Sequence, residues 1–134
     1  MKTRILLILA ILSFFTISLY SQNKYDIQLK HDEKKAIKEY TAFDPKTSEK
    51  QFKVLIKYDK EGHRTARTLY MWNKNHGWIG GQKHEYSYNT RGKISKIIHT
   101  KWDKNKDDWS SKSEIYFHYY DVNDQLLAVK TENK

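Results

Sequence analysis

Much of the chain from Gln51 onward alternates between apolar and polar positions. Phe52, Val54, Ile56 and Tyr58 are interleaved with Lys53, Leu55 and Lys57, and His84, Tyr86 and Tyr88 with Lys83, Glu85 and Ser87. A period of two marks a half-buried β-strand. The stretch 93–102 is β-branched with no helical stripe, and 114–120 is apolar on both faces. The pattern predicts strands at 25–31, 36–43, 51–58, 64–72, 82–88, 93–102, 112–120 and 125–131. The longer loops fall at 44–50, 73–81 and 103–111, where Lys, Asn, Asp, Gly and Ser collect. Residues 34–39 (KKAIKE) also suit a helical turn.

The strands come from a repeat. Trp72-Asn73 and Trp102-Asp103 lie 30 residues apart, with Phe43-Asp44 in the same slot 29 residues earlier. Tyr58-Asp59-Lys60-Glu61-Gly62 precedes the first Trp by 14 residues, and Tyr88-Asn89-Thr90-Arg91-Gly92 precedes the second by 14. Tyr120-Asp121-Val122-Asn123-Asp124 opens a third copy, and His31-Asp32 stands in the same slot upstream. A unit of about 30 residues written three and a half times means stacked supersecondary elements. Tyr-(Asp/Asn)-x-x-Gly is turn chemistry, because Asp and Asn bond their own backbone and Gly accepts positive φ. Strand, short turn, strand and longer loop therefore build an all-β antiparallel meander of about eight strands. It is either an open curved sheet or an up-and-down barrel, since an open sheet leaves two edges to manage.

Destination is written at the start of the chain. Lys2 and Arg4 precede an uncharged run from Ile5 to Asn23, the layout of a secretory signal peptide. Ser13, Thr16, Ser18 and Ser21 interrupt the run, whereas a spanning helix needs about 20 predominantly apolar residues. Leu19 and Ser21 suit a signal peptidase, so cleavage after Ser21 is expected, leaving 22–134 as one domain without a transmembrane segment. There is no cysteine, hence no disulfide and no lipid-bearing Cys. The 25 basic residues lose Lys2 and Arg4, leaving 23 against 16 acidic ones and a net charge of +7. Scattered lysines protect sheet edges; clustered in space they attract an anionic surface.

The turn residues Tyr58, Asp59 and Gly62, then Tyr88, Asn89 and Gly92, then Tyr120 and Asp121 with Asp124 in place of glycine, resemble the YD (RHS-like) repeat of secreted bacterial proteins. The layout is also similar to short uncharacterised secreted proteins of Bacteroidetes. The likeness covers 51–134. It implies an extracellular all-β architecture and transfers no catalytic residue.

Catalytic signatures are missing from the sequence. The histidines, His31, His63, His76, His84, His99 and His118, include no H-E-x-x-H and no close pair of the kind zinc sites favour. There is no G-x-S-x-G and no phosphate-binding glycine loop. Glu85 and Glu114 lie on strands and could face each other as a glycosidase needs. No enzyme activity, metal or cofactor is expected.

The tryptophans are the candidate binding residues. Trp72 and Trp102 end strands in the slot of Phe43, which suits a structural layer. Trp78 and Trp109 lie at loop margins among amides and lysines, where a rigid ring stacks on a sugar or grips a protein. A cross-strand Trp–Trp contact closing each hairpin explains both pairs without a ligand. The function expected is a secreted or periplasmic, non-catalytic binding module for glycan, protein or an anionic envelope surface, with nucleic acid not favoured. The alternative is an envelope-associated structural protein with no discrete ligand.

Overall fold

The computed structural model describes residues 24–134, so the signal segment expected at 1–21 lies outside the described residues. These residues form β1 (Asp26–Asp32), β2 (Ile37–Phe43), β3 (Lys50–Tyr58), β4 (Arg64–Asn73), β5 (Gly77–Tyr88), β6 (Ile94–Asp103), β7 (Asp108–Tyr120) and β8 (Leu126–Asn133). All eight lie in one sheet in sequence order, each antiparallel to the next. The meander is open: among the described residues β1 and β8 each have a single neighbour, so the barrel alternative is not adopted. No helix among the described residues is long and apolar enough to cross a membrane. Residues 33–36, at the start of the KKAIKE segment, form a turn into β2 rather than a helix.

Three turns at one end of the sheet are built alike. Asp59, Asn89 and Asp121 each give their side-chain oxygen to the backbone N–H four residues on: His63 at 2.8 Å, Lys93 at 3.0 Å and Gln125 at 2.9 Å. The same three residues donate their own N–H to the carbonyls of His63, Lys93 and Gln125. Each turn needs one left-handed residue, which is Gly62 (φ 86), Gly92 (φ 74) and Asp124 (φ 61). Asp tolerates this conformation better than most residues, and its carboxylate reaches Arg91 of the preceding turn at 2.8 Å. One extra residue follows each turn, Thr65, Ser95 or Leu127, where the pairing shifts opposite Tyr58, Tyr88 or Tyr120.

The other end repeats as well. Asp44, Asn73 and Asp103 accept backbone N–H groups within their loops, and Ser48, Gly77 and Asp107 supply positive φ. These bonds tighten the second and third loops to 74–76 and 104–107, so β5 and β7 begin several residues earlier than alternation suggests. Extra residues interrupt the pairing here at Gln51, Gly81 and 110–112. The third loop is one residue longer than the second, and the last interruption, set against an unpaired Lys101, adds one more, so the third Tyr-Asp falls 32 rather than 30 residues after the second.

Residues directly opposite in a register project to one face. One face carries Tyr40, Val54, Ile56, Leu69, Tyr86, Ile97 and Tyr116, with His84 and His99 at its centre. The other carries Lys53, Lys57, Lys83 and Lys96 with the four tryptophans. No second layer covers either face among the described residues, and Ala42 is the only fully buried hydrophobic side chain. Stability therefore comes from within the sheet.

Two tyrosines tie neighbouring repeats together. The Tyr88 hydroxyl donates to the Arg64 carbonyl, and the Tyr120 hydroxyl to the Ile94 carbonyl, both at 2.7 Å. Each bond joins the motif tyrosine of one turn to the strand that leaves the turn before it. Tyr88→Phe and Tyr120→Phe should each lower unfolding free energy by about 1 kcal/mol in denaturant titrations, because the carbonyl loses its partner while the ring packing remains.

Candidate functional site

The tryptophans arise where two hairpins close. Trp72 faces Trp78 across β4 and β5, and Trp102 faces Trp109 across β6 and β7. Both pairs meet edge-to-face, at 5.0 Å and 67° and at 5.1 Å and 87°, the geometry favoured by aromatic quadrupoles. All four are half-buried. The pairs are joined by a gap in the side-chain layer at Gly80. That residue lies opposite Tyr70, and the Trp102 ring occupies the space a side chain would take. Trp109 then reaches the Tyr70 ring edge-on at 6.1 Å.

Lysines cover this aromatic row. The Lys50 ammonium sits 4.5 Å from the Trp72 centroid, Lys53 lies 4.8 Å from Trp78 and 5.3 Å from Tyr70, and Lys83 lies 5.5 Å from Trp109. A cation over an aromatic face is attracted to its quadrupole. Among the described residues Lys83 also bridges Glu85 at 3.4 Å, whereas Lys50 and Lys53 have no carboxylate partner. Burial raises the Tyr70 hydroxyl pKa above its ordinary value. The site is a run of rings roofed by ammonium groups, of which those of Lys50 and Lys53 have no carboxylate partner among the described residues.

The opposite face holds a polar row that sequence reasoning did not assemble. His84 and His99 stack at 4.6 Å, nearly parallel at 6°. The two ring nitrogens of His99 lie 3.0 Å from Glu114 and 3.0 Å from Gln82, and the Tyr116 hydroxyl donates to the same Glu114 oxygen at 3.0 Å. Donation from His99, then from Tyr116, and the charge of Lys101 hold the Glu114 carboxyl below its usual range. Desolvation, followed by the charges of His99 and Arg67, lowers the His84 pKa, and its Nδ1 is buried without a partner. These contacts follow from the register across the 89–92 turn, which pairs position 84 with 99. Only the bulge at that turn fixes the pairing, and the alternation does not reveal it.

The carboxylates weighed as a catalytic pair do not meet. Glu85 lies opposite Ile98, in line with Ile115, while Glu114 lies opposite His99 on the next row. Adjacent rows project to opposite faces, so no cleft joins them. A histidine-containing trio was also missed, because only spacings between histidines were weighed. Asp59, Glu61 and His63 bring donor atoms within 4.8 Å of one another in the first motif turn. The His63 ring is already engaged there, 3.2 Å from Asp59 and stacked on Tyr88 at 4.8 Å. Desolvation works to raise the Asp59 carboxyl, but donation from the His63 backbone and ring outweighs it and leaves it lowered.

Two outcomes follow from this geometry. Gly80→Ala should destabilise the sheet by about 3 kcal/mol and shift tryptophan emission, since a methyl group would displace the Trp102 ring. His84 binds its proton more weakly when folded than its ordinary value of 6.5. The unfolded chain therefore takes up that proton first as pH falls, and stability declines from about pH 6.5 downward. Thermal melts of His84→Gln should lose that part of the slope.

No family model and no curated protein matches the chain. Solved structures do. It is similar to a DUF3836 family protein from Bacteroides vulgatus ATCC 8482, with 15% identity, a TM-score of 0.50, and 81% of this chain and 98% of that chain covered. It is similar also to a protein of unknown function from Bacteroides fragilis NCTC 9343, with 20% identity, a TM-score of 0.52, and 84% and 83% covered. At these identities the likeness establishes the fold: one all-β antiparallel meander.

Proposed function

We propose that the protein is a secreted or periplasmic, non-catalytic binding module whose lysine–tryptophan face takes an anionic glycan. The observation that carries this is the placement of Lys50 and Lys53 over Trp72, Trp78 and Tyr70 without an acid to neutralise them. The lysines occupy the ring faces on which a neutral sugar would stack, so the surface offers ammonium groups first and ring edges second. A carboxylate or sulfate on a sugar meets the former, and the sugar's C–H face meets the latter. An extracytoplasmic location is supported by the charged start and uncharged run of the sequence. Kinship with YD (RHS-like) repeats is supported by three turns that share one hydrogen-bonding scheme.

Tryptophan fluorescence with acidic and neutral polysaccharides tests the reading. Acidic polymers should shift the emission at low salt, with affinity falling as salt screens the contact. The double variant Lys50→Gln/Lys53→Gln should bind about tenfold more weakly, a loss of roughly 1.4 kcal/mol. Emission indifferent to every polymer would favour an envelope-associated structural protein with no discrete ligand.

A further inference from the structure

Among the described residues the sheet has two free edges, and each exposes large apolar side chains. Among the described residues, five of the exposed large hydrophobic side chains lie on the edge strands: Ile27 and Leu29 on β1, and Leu126, Leu127 and Val129 on β8. Natural sheets usually blunt such edges. We infer that β8 of one copy pairs with β1 of a second copy, so that the meander continues head to tail from chain to chain.

Direction comes from the strand count. Eight antiparallel strands place β1 of a simply translated copy antiparallel to β8, as β3 is to β2. Register comes from the repeat. Tyr58, Tyr88 and Tyr120 end β3, β5 and β7, and His31 holds the same slot in β1, followed by Asp32, which accepts a turn N–H from Lys35. Four residues before these positions stand Val54, His84, Tyr116 and Ile27. The first three pair with Tyr40, Arg67 and Ile97 of the preceding strand. Arg67 and Ile97 lie three residues into β4 and β6, and the equivalent residue of β8 is Val129. The repeat thus sets Val129 opposite Ile27 of the next copy.

The side chains fit this register. Leu127 then meets Leu29 beside the Val129–Ile27 pair. On the other face Lys130 meets Asp26, and Glu132 comes beside Lys24, whose slot is a bulge at Gln51 and Gly81 and a paired residue at Ser113. Sliding by two residues, the smallest step that keeps the faces, sets Glu132 against Asp26 in one direction and Lys130 against Lys24 in the other. Like charges directly opposite are destabilising, so only the repeat's own register is charge-matched. Within one copy Lys130 reaches Glu132 at 2.9 Å, and the assembly would give each a second partner. A heterologous contact of this kind closes into a ring or grows into a filament.

Analytical ultracentrifugation over a concentration series tests this, using the protein recovered from cells expressing the full chain. Concentration-dependent association is expected. Asp26→Lys and Lys130→Glu should each weaken it roughly fivefold, and the double swap should restore it, with circular dichroism unchanged throughout. If a reversal disturbs the fold, Asp26→Asn and Lys130→Gln replace it, with a smaller loss expected. A monomer at every concentration overturns the inference. So does association that the single reversals leave unchanged or the double swap fails to rescue. None of these measurements involves a polysaccharide, so the result is independent of the glycan reading.

Discussion

Among the described residues a single sheet stands with no second layer over it, and such a sheet keeps its register through bonds made inside the sheet. Here that falls to the side-chain oxygen of Asp59, Asn89 or Asp121, which captures the backbone four residues on. The capture fixes a five-residue connection with one left-handed position, and the bulge after it aligns the strands. A slip of one residue would turn every side chain to the wrong face. The tyrosine bonds then carry the alignment from one hairpin to the next.

Both faces inherit their character from that alignment. The lysine–tryptophan row exists because equivalent strand ends stack, and Gly80 leaves the gap in which Trp102 and Trp109 approach Tyr70. The histidine row on the reverse face exists because the same register sets 84 beside 99 and 99 beside 114. Its carboxylate is held ionised by its neighbours and faces away from Glu85. A hydrogen-bonded His–Glu pair is a component of general-base chemistry. His99 and Glu114 also line a hollow of about 430 Å³ with Lys101, Ser110, Ser113 and Lys134, so the row borders open space at the β7 side of this face.

The free edges follow from the same construction. Among the described residues β1 and β8 each present the pairing surface of an interior strand. The third copy departs from the first two at 110–112 and at Asp124, and both changes are absorbed locally: by a wider bulge in one case, and by a left-handed aspartate bridged to Arg91 in the other.

The sequence alone determined the repeat, the strand count and the turn chemistry, because each depends on neighbours a few residues apart. Period-two alternation, Asp or Asn before Gly, and the recurrence of Trp at 30 residues are local signals, and the eight strands lie close to where those signals put them. Loop lengths were less legible: the stretches 73–81 and 103–111 look like loop, yet bonds to Asn73 and Asp103 leave only 74–76 and 104–107 outside the strands. Whether the sheet closes, which residues share a face, and whether Glu85 meets Glu114 were decided only by the tertiary structure. Those outcomes depend on bulges that add one or two residues between strands, and a shift that small reverses a face without changing the composition or the period that announces the strand.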